Sequence, residues 1–128
     1  MRLLLDTHIW LWSLREPQRL GKRVEKELLD QANEVWLSSI SVWEALVLHR
    51  KGRISIQGSL ADWLSKAKAR TREAPLTHEI ALAAHSLSLH GDPADRFLAA
   101  TAKVLDLTLV TADHRLLGLG DIATLANR

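Results

Sequence analysis

The sequence predicts an α/β fold whose parallel sheet is covered by helices on both faces. Short apolar runs of strand length alternate with longer stretches of helical periodicity, and the runs are apolar at successive positions, as in strands buried on both sides. Strand, helix and strand in succession require crossover connections, which are right-handed and lay helices on both faces of the sheet.

Each element has its own signal. Arg2 to Asp6 (RLLLD) reads as a buried strand ending at a polar residue, where the chain turns. Ile9, Trp10 and Trp12 to Leu14 form a broad apolar helical segment. It ends near Pro17, because the residue before a proline is pushed out of helical dihedrals. Val24, Leu28 and Ala32 recur every four residues among Lys and Glu, the pattern of an amphipathic surface helix. Val35 to Ser39 (VWLSS) is a second strand, and Ile40, Trp43 and Val47 follow at helical spacing until Gly52. Leu60, Trp63, Leu64 and Ala67 form the stripe of the next helix, Glu73 to Thr77 (EAPLT) is a short strand, and Ile80, Ala83, Ala84 and Leu87 mark another helix. Gly91 and Pro93 punctuate the chain before a helix carrying Phe97, Ala100, Thr101 and Val104. Leu107 to Thr111 (LTLVT) is a strand, a short helical turn follows Asp113, and Ile122 to Leu125 is a last edge strand.

Composition narrows the class without naming a function. The 128 residues are 47% apolar, enough for one domain over residues 1–128 with a core of its own. No cysteine is present, which excludes a disulfide framework, a thiol nucleophile and a Cys-based zinc site. The opening MRLLLDTHIWLW is broken by Asp6 and His8 and falls far short of the ~20 apolar residues of a membrane span, so a soluble, cytoplasmic protein is expected. A net charge of +2 does not by itself indicate a nucleic-acid partner, while a pI near 9.3 is compatible with one.

In open parallel sheets ligands bind beyond the carboxyl ends of the strands, so polar residues just after the strands carry most weight. Four acids fall there: Asp6 ends the first strand, Glu44 lies early in the helix after the second, Asp95 opens the helix after Gly91, and Asp113 follows LVTA. Any one of them can be a helix cap. Ser41 to Glu44 fits a capping box, and Asp92-Pro93-Ala94-Asp95 fits a capped helix start with proline at its first position. Taken together, four strand or loop ends deliver acids to one sheet edge, which points to a shared site. Carboxylates within ~4–6 Å raise one another's pKa, and a cation relieves that repulsion. All-carboxylate ligation suits Mg²⁺ or Mn²⁺.

The segments LLLDTH, SSISVWEAL, HGDPADRFLAATA and LTLVTADHRL, in that order over nearly the whole chain, resemble the PIN domain family, and within it the VapC-type toxin ribonucleases of toxin–antitoxin pairs. The resemblance implies a three-layer α/β/α fold and an acidic Mg²⁺ or Mn²⁺ site that hydrolyses RNA with a metal-activated water. Carried over by position, the family's metal-binding and catalytic acids fall on Asp6, Glu44, Asp95 and Asp113. Thr7, Ser39 and Thr111 supply hydroxyls beside them, Asp92 is an N-cap within reach of the site, and Arg96 is placed to pair with a site carboxylate. The family's usual partners are an antitoxin, which wraps a hydrophobic and basic segment over the toxin, and a second copy of the chain in a homodimer.

Other residues weigh less. His78, His85 and His90 recur at seven and five residues, not at the i, i+4 spacing of a helical zinc pair. His8 and His114 lie near acids, within reach of a substrate phosphate or simply in solvent. Arg50, Lys51 and Arg53, and Lys68, Arg70 and Arg72, fall at helix C-termini, where cations meet the dipole; they also offer a track for an RNA backbone. Of five tryptophans, Trp36, Trp43 and Trp63 read as core, and at least one of Trp10 and Trp12 is exposed. The competing function is a catalytically inactive module of the same fold that holds a basic peptide or protein in its acidic pocket. A small-molecule phosphohydrolase fits less well, since Asp6-Thr7-His8 lacks a second Asp and no GxxxxGK[ST] loop is present.

Overall fold

The computed structural model describes residues 1–89 and 91–128. Five strands, β1 (Arg2–Leu5), β2 (Glu34–Ser38), β3 (Arg72–Ala74), β4 (Thr108–Thr111) and β5 (Thr124–Ala126), form one all-parallel sheet in the order β3-β2-β1-β4-β5. The helices among the described residues are α1 (Thr7–Arg15), α2 (Lys22–Leu29), α3 (Ser39–Arg50), α4 (Leu60–Ala67), α5 (His78–Ser86), α6 (Pro93–Leu105) and α7 (His114–Leu117).

The sheet divides the core in two, giving a three-layer α/β/α arrangement. Leu3 and Leu5 of β1, with Leu37 and Val110, face a layer that includes Ile9, Trp10, Val24 and Ala45. Leu4 and Leu109 face the other way, onto Leu98, Ala99 and Ala102 of α6 and Leu116 of α7. Successive strand residues thus bury on opposite sides, which is why RLLL carries no polar alternation. Helix α5 packs on the outside of α6 through Ile80, Ala84 and Ala100. The Leu, Ile and Val side chains buried this deeply each contribute about 1.5–3 kcal/mol, and β1 at the centre is nearly all core.

The chain builds outward from β1 to β2 and β3, then crosses back to place β4 and β5 on the other side. The direction of winding therefore reverses between β1 and β4. A crevice opens at such a switch point beyond the carboxyl ends of the two strands. Asp6 and Asp113 both follow strands that border it.

Several boundaries differ from the sequence reading. Strand β3 covers Arg72–Ala74, not residues 73–77, because Pro75 has no N–H to give the ladder. Ala32 lies outside α2; the Asp30 carboxylate accepts from the Ala32 N–H at 2.9 Å and turns the chain there. Helix α3 is capped by Ser38, whose hydroxyl accepts from the Ile40 N–H at 3.1 Å, so the capping box expected at Ser41 to Glu44 does not form. Trp43 is not core: it is 61% exposed. Ser41 and Ala45 are the buried residues of α3, and Trp43 is two residues from each, about 200° around the helix, on the opposite face. Trp10 is buried with its indole donating to the Ala67 carbonyl at 3.0 Å and Trp63 packed against it, the rings tilted by 56° with centroids 5.7 Å apart; Trp12 is half-buried, so neither Trp10 nor Trp12 is the exposed residue expected of that pair.

Candidate active site

Asp6 leaves β1 on an extended backbone and precedes the first turn of α1 without capping it through its side chain. The carboxylate is turned instead toward β4, where the Thr111 hydroxyl donates to it at 2.6 Å. Both residues are buried. Thr7, the next residue, ties in Glu44 of α3. Its hydroxyl has one proton and Glu44 only accepts, so Thr7 donates to Glu44 and, through Oγ1 at 2.8 Å, accepts from Ser41. Ser41 and Glu44 are three residues apart and therefore share a helix face. Ser41 thus anchors the Thr7 hydroxyl that holds the glutamate.

The other two acids arrive through helix starts. Asp92 caps α6, accepting from the Ala94 N–H at 3.0 Å with Pro93 at the first position, and this fixes Asp95 in the first turn. Asp113 caps α7 by accepting from the Arg115 N–H at 2.9 Å, and its own N–H donates to Thr111 Oγ1 at 3.0 Å. Thr111 thus holds Asp6 and Asp113 at once. Asp6, Glu44, Asp92, Asp95 and Asp113 line one pocket of about 330 Å³, together with His8, Trp12 and Arg115.

Crowding shows in the proton affinities. Burial raises the pKa of Asp6 and of Glu44 above the ordinary carboxyl range, against the lowering effect of their hydrogen bonds from Thr111 and Thr7. Asp95 is pushed up to about 6, first by burial and then by the charges of Asp6, Asp92 and Asp113. Asp113 moves the other way, held down by the hydrogen bond from Arg115. The Arg115 guanidinium bridges the two, 2.9 Å from Asp113 and 3.1 Å from Asp95. A glycine is needed beside it: Gly91 has φ +115°, and a Cβ there would stand 3.1 Å from the Arg115 Nη1.

Arg115, not Arg96, is therefore the cation paired with the site carboxylates. Arg96 donates to the carbonyls of His85 and Leu87 at 3.2 and 3.5 Å and ties α6 to the end of α5. The Asp113-x-Arg115 spacing was the available signal, since a cap residue and the side chain two positions on share the helix start. Ser39 is also displaced from its expected place. It lines a separate cavity of about 370 Å³ with Leu37, Val42, Leu64 and Lys68, and the hydroxyls near Glu44 belong to Thr7 and Ser41.

The six basic residues expected to form one track are dispersed. Arg53 borders a cavity that adjoins the acidic pocket, while Arg50 and Lys51 are exposed at the end of α3. Lys68 lines the Ser39 cavity, and Arg70 is exposed with a left-handed φ of 67°. Arg72 lies over the Trp36 ring and pairs at 3.8 Å with Glu34, at the end of β2 away from Ser38. His78, His85 and His114 are exposed, and His90 lies outside the described residues.

A hard divalent cation fits this donor set by its chemistry. The donors are carboxylates, and three of them are driven toward protonation by burial and mutual charge that a cation would relieve. Among the described residues, no three acidic or imidazole groups form a ready-made cage. An open arrangement of one or two direct carboxylates suits Mg²⁺, which keeps several of its waters.

The PIN domain family model matches residues 3–121. Ribonuclease VapC22 of Mycobacterium tuberculosis is 35% identical over 116 residues, covering 89% of this chain and 88% of that protein. Among solved structures, VapBC2 from Rickettsia felis, bound to a DNA fragment from its promoter, aligns with a TM-score of 0.74 at 18% identity over 98% of each chain. FitAcB from Neisseria gonorrhoeae aligns with a TM-score of 0.62 at 25% identity, over 98% of this chain and 97% of that one. No helix among the described residues is long and apolar enough to cross a membrane.

Proposed function

The chain belongs to the PIN domain family, with a VapC protein among its relatives, and from that premise we propose that it is an Mg²⁺- or Mn²⁺-dependent endoribonuclease, the toxin of a toxin–antitoxin pair. The observation that carries this reading is the meeting of Asp6, Glu44, Asp95 and Asp113, from four separate stretches of chain, in one pocket at the switch point of the sheet. Ribonuclease VapC22 supports RNA as the substrate.

Asp6 and Asp95 are the residues that would hold the cation directly, with Asp113 and Glu44 completing its surroundings. When bound, such a cation makes a coordinated water easier to ionise and stabilises charge developing on the phosphate oxygens. The chain's own side chains do the positioning. Thr111 fixes the Asp6 carboxylate, Thr7 holds Glu44 with an oxygen free to accept from an attacking water, and Arg115 keeps Asp113 ionised. No side chain needs to act as a nucleophile.

The reading also carries its partners. A cognate antitoxin is supported by the structural likeness to a toxin–antitoxin complex from Klebsiella pneumoniae, and a second copy of the chain in a homodimer by the family resemblance. Both would act in the cytoplasm with the RNA. Exposed Trp43 is apolar surface that such a partner would cover.

One observation favours a second reading, an inactive module that grips a basic peptide: Arg115 already shows that the pocket accepts a guanidinium. Incubating the purified protein with cellular RNA and sequencing the new ends separates the two. The nuclease cuts at defined positions with Mn²⁺, stops in EDTA, and is inactive as Asp6→Asn. Cutting by Asp6→Asn at the wild-type rate would sink the assignment.

A further inference from the structure

The acidic pocket shares two of its walls. His8 and Trp12 also line an adjoining cavity of about 530 Å³, whose remaining surface is Leu11, Arg15, Glu16, Leu48, Arg53 and Ile54, with the Glu16 carboxylate paired to Arg19 at 3.4 Å. An acidic pocket repels phosphate, so a chain of phosphates that enters it needs cations directly alongside. The neighbouring cavity supplies them. Arg15 is tethered, donating to the Ser55 carbonyl at 2.6 Å. Exposed Arg53 has no side-chain hydrogen bond or ion pair among the described residues, and Gly52, at φ +74°, turns the chain just before it.

The other components suit a base. Trp12 is half-buried, and the Arg19 guanidinium lies 4.2 Å from its ring centre, which braces the indole. Arg19 does not line either cavity, whereas Trp12 lines both with His8 beside it, the ring centroids 6.1 Å apart and tilted by 55°, so indole and imidazole together form the aromatic wall. Leu48 and Ile54 add an apolar floor. An aromatic plane, an apolar floor and an uncommitted guanidinium are the complement of one nucleotide: stacking for the base and a cation for its phosphate.

We propose that this cavity is the subsite for the nucleotide next to the cleaved phosphodiester, with its base against Trp12 and its phosphate at Arg53. The proposal rests on the RNA-cleaving reading and names where substrate is gripped.

The test uses a short fluorescein-labelled single-stranded RNA of random sequence, with cleavage kinetics on the active protein and binding measured in the Asp6→Asn background. Arg53→Ala should raise KM roughly tenfold with kcat nearly unchanged, and should lower the slope of log affinity against log salt by about 0.7, the signature of one lost single-strand phosphate contact. Lys51→Ala, which removes a nearby charge outside the cavity, should do much less. Trp12→Leu should weaken binding by roughly tenfold and relax base preference at the cut, with Trp12→Phe restoring most of both. If the wild type cleaves RNA but Arg53→Ala keeps its KM and salt slope, or Lys51→Ala matches Arg53→Ala, the subsite is wrong and the nuclease stands. If the wild type cuts no RNA, both fall together.

Discussion

Replacing Asp95 with asparagine should make the metal-free protein more stable at neutral pH. The carboxyl titrates at about 6 in the folded protein against 3.8 for a free side chain, because burial and the charges of Asp6, Asp92 and Asp113 oppose its ionisation. Below pH ~4 it is protonated in both states and the folded state bears no electrostatic cost. As pH rises toward about 6 the unfolded chain ionises it freely while the folded chain resists, so stability falls through that window and stays lower above it. The full difference is about 3 kcal/mol. Solvent and Arg115 both reach the carboxylate, which cuts the net to about 1 kcal/mol.

Asparagine keeps the shape and still accepts from Arg115, so the variant should melt roughly 3–5 °C above the wild type at pH ~7.5 in EDTA. That advantage should shrink as the pH is lowered toward ~5. Circular dichroism melts of both proteins across that range provide the measurement. An Asp95→Asn protein that melts at or below the wild-type temperature at neutral pH, or a gap that does not depend on pH, would refute the electrostatic picture of the pocket.

Arg115→Ala removes the hydrogen bond that holds the Asp113 pKa down and a charge that partly offsets the rise at Asp95, so both carboxyls should bind protons more tightly. The acid limb of a pH–rate profile should move to higher pH; an unmoved limb would contradict this role. Thr7→Val keeps the shape and deletes the link from Ser41 to Glu44, and should cost about 1–2 kcal/mol in urea unfolding together with a loss of cleavage rate. Trp43→Ser, by contrast, should leave monomer stability within about 0.5 kcal/mol, which the same unfolding assay reads.

Most of what positions the site was legible in the order of residues. Asp6 and Asp113 follow apolar strand runs, so a parallel sheet carries them to its carboxyl edge, and Asp92-Pro93 announces the helix start that places Asp95. Glu44 reaches the same pocket although its expected cap at Ser41 does not form, because α3 begins directly from Ser38 and the glutamate still falls on the inner face. The features that depart from the sequence pattern depend on contacts between distant segments. Arg96 and Arg115 are each one or two residues from a site acid, and only the packing of α5 against α6 decides that the first is drawn to carbonyls and leaves the pocket to the second. Trp43 is exposed for a related reason: the spacing of apolar residues predicts a helix, but the close approach of α1 buries its small residues, Ser41 and Ala45, instead. The basic residues could not be ordered at all, since helix C-termini attract cations wherever they point.

The shared cation is tested most directly by diffraction from crystals soaked in Mn²⁺, with anomalous difference maps computed for the wild type and for Asp6→Asn. A peak bounded by Asp6 and Asp95, lost in the variant, is the expected result. A wild-type pocket without a peak at saturating Mn²⁺, in a protein that nonetheless cleaves RNA, would contradict it.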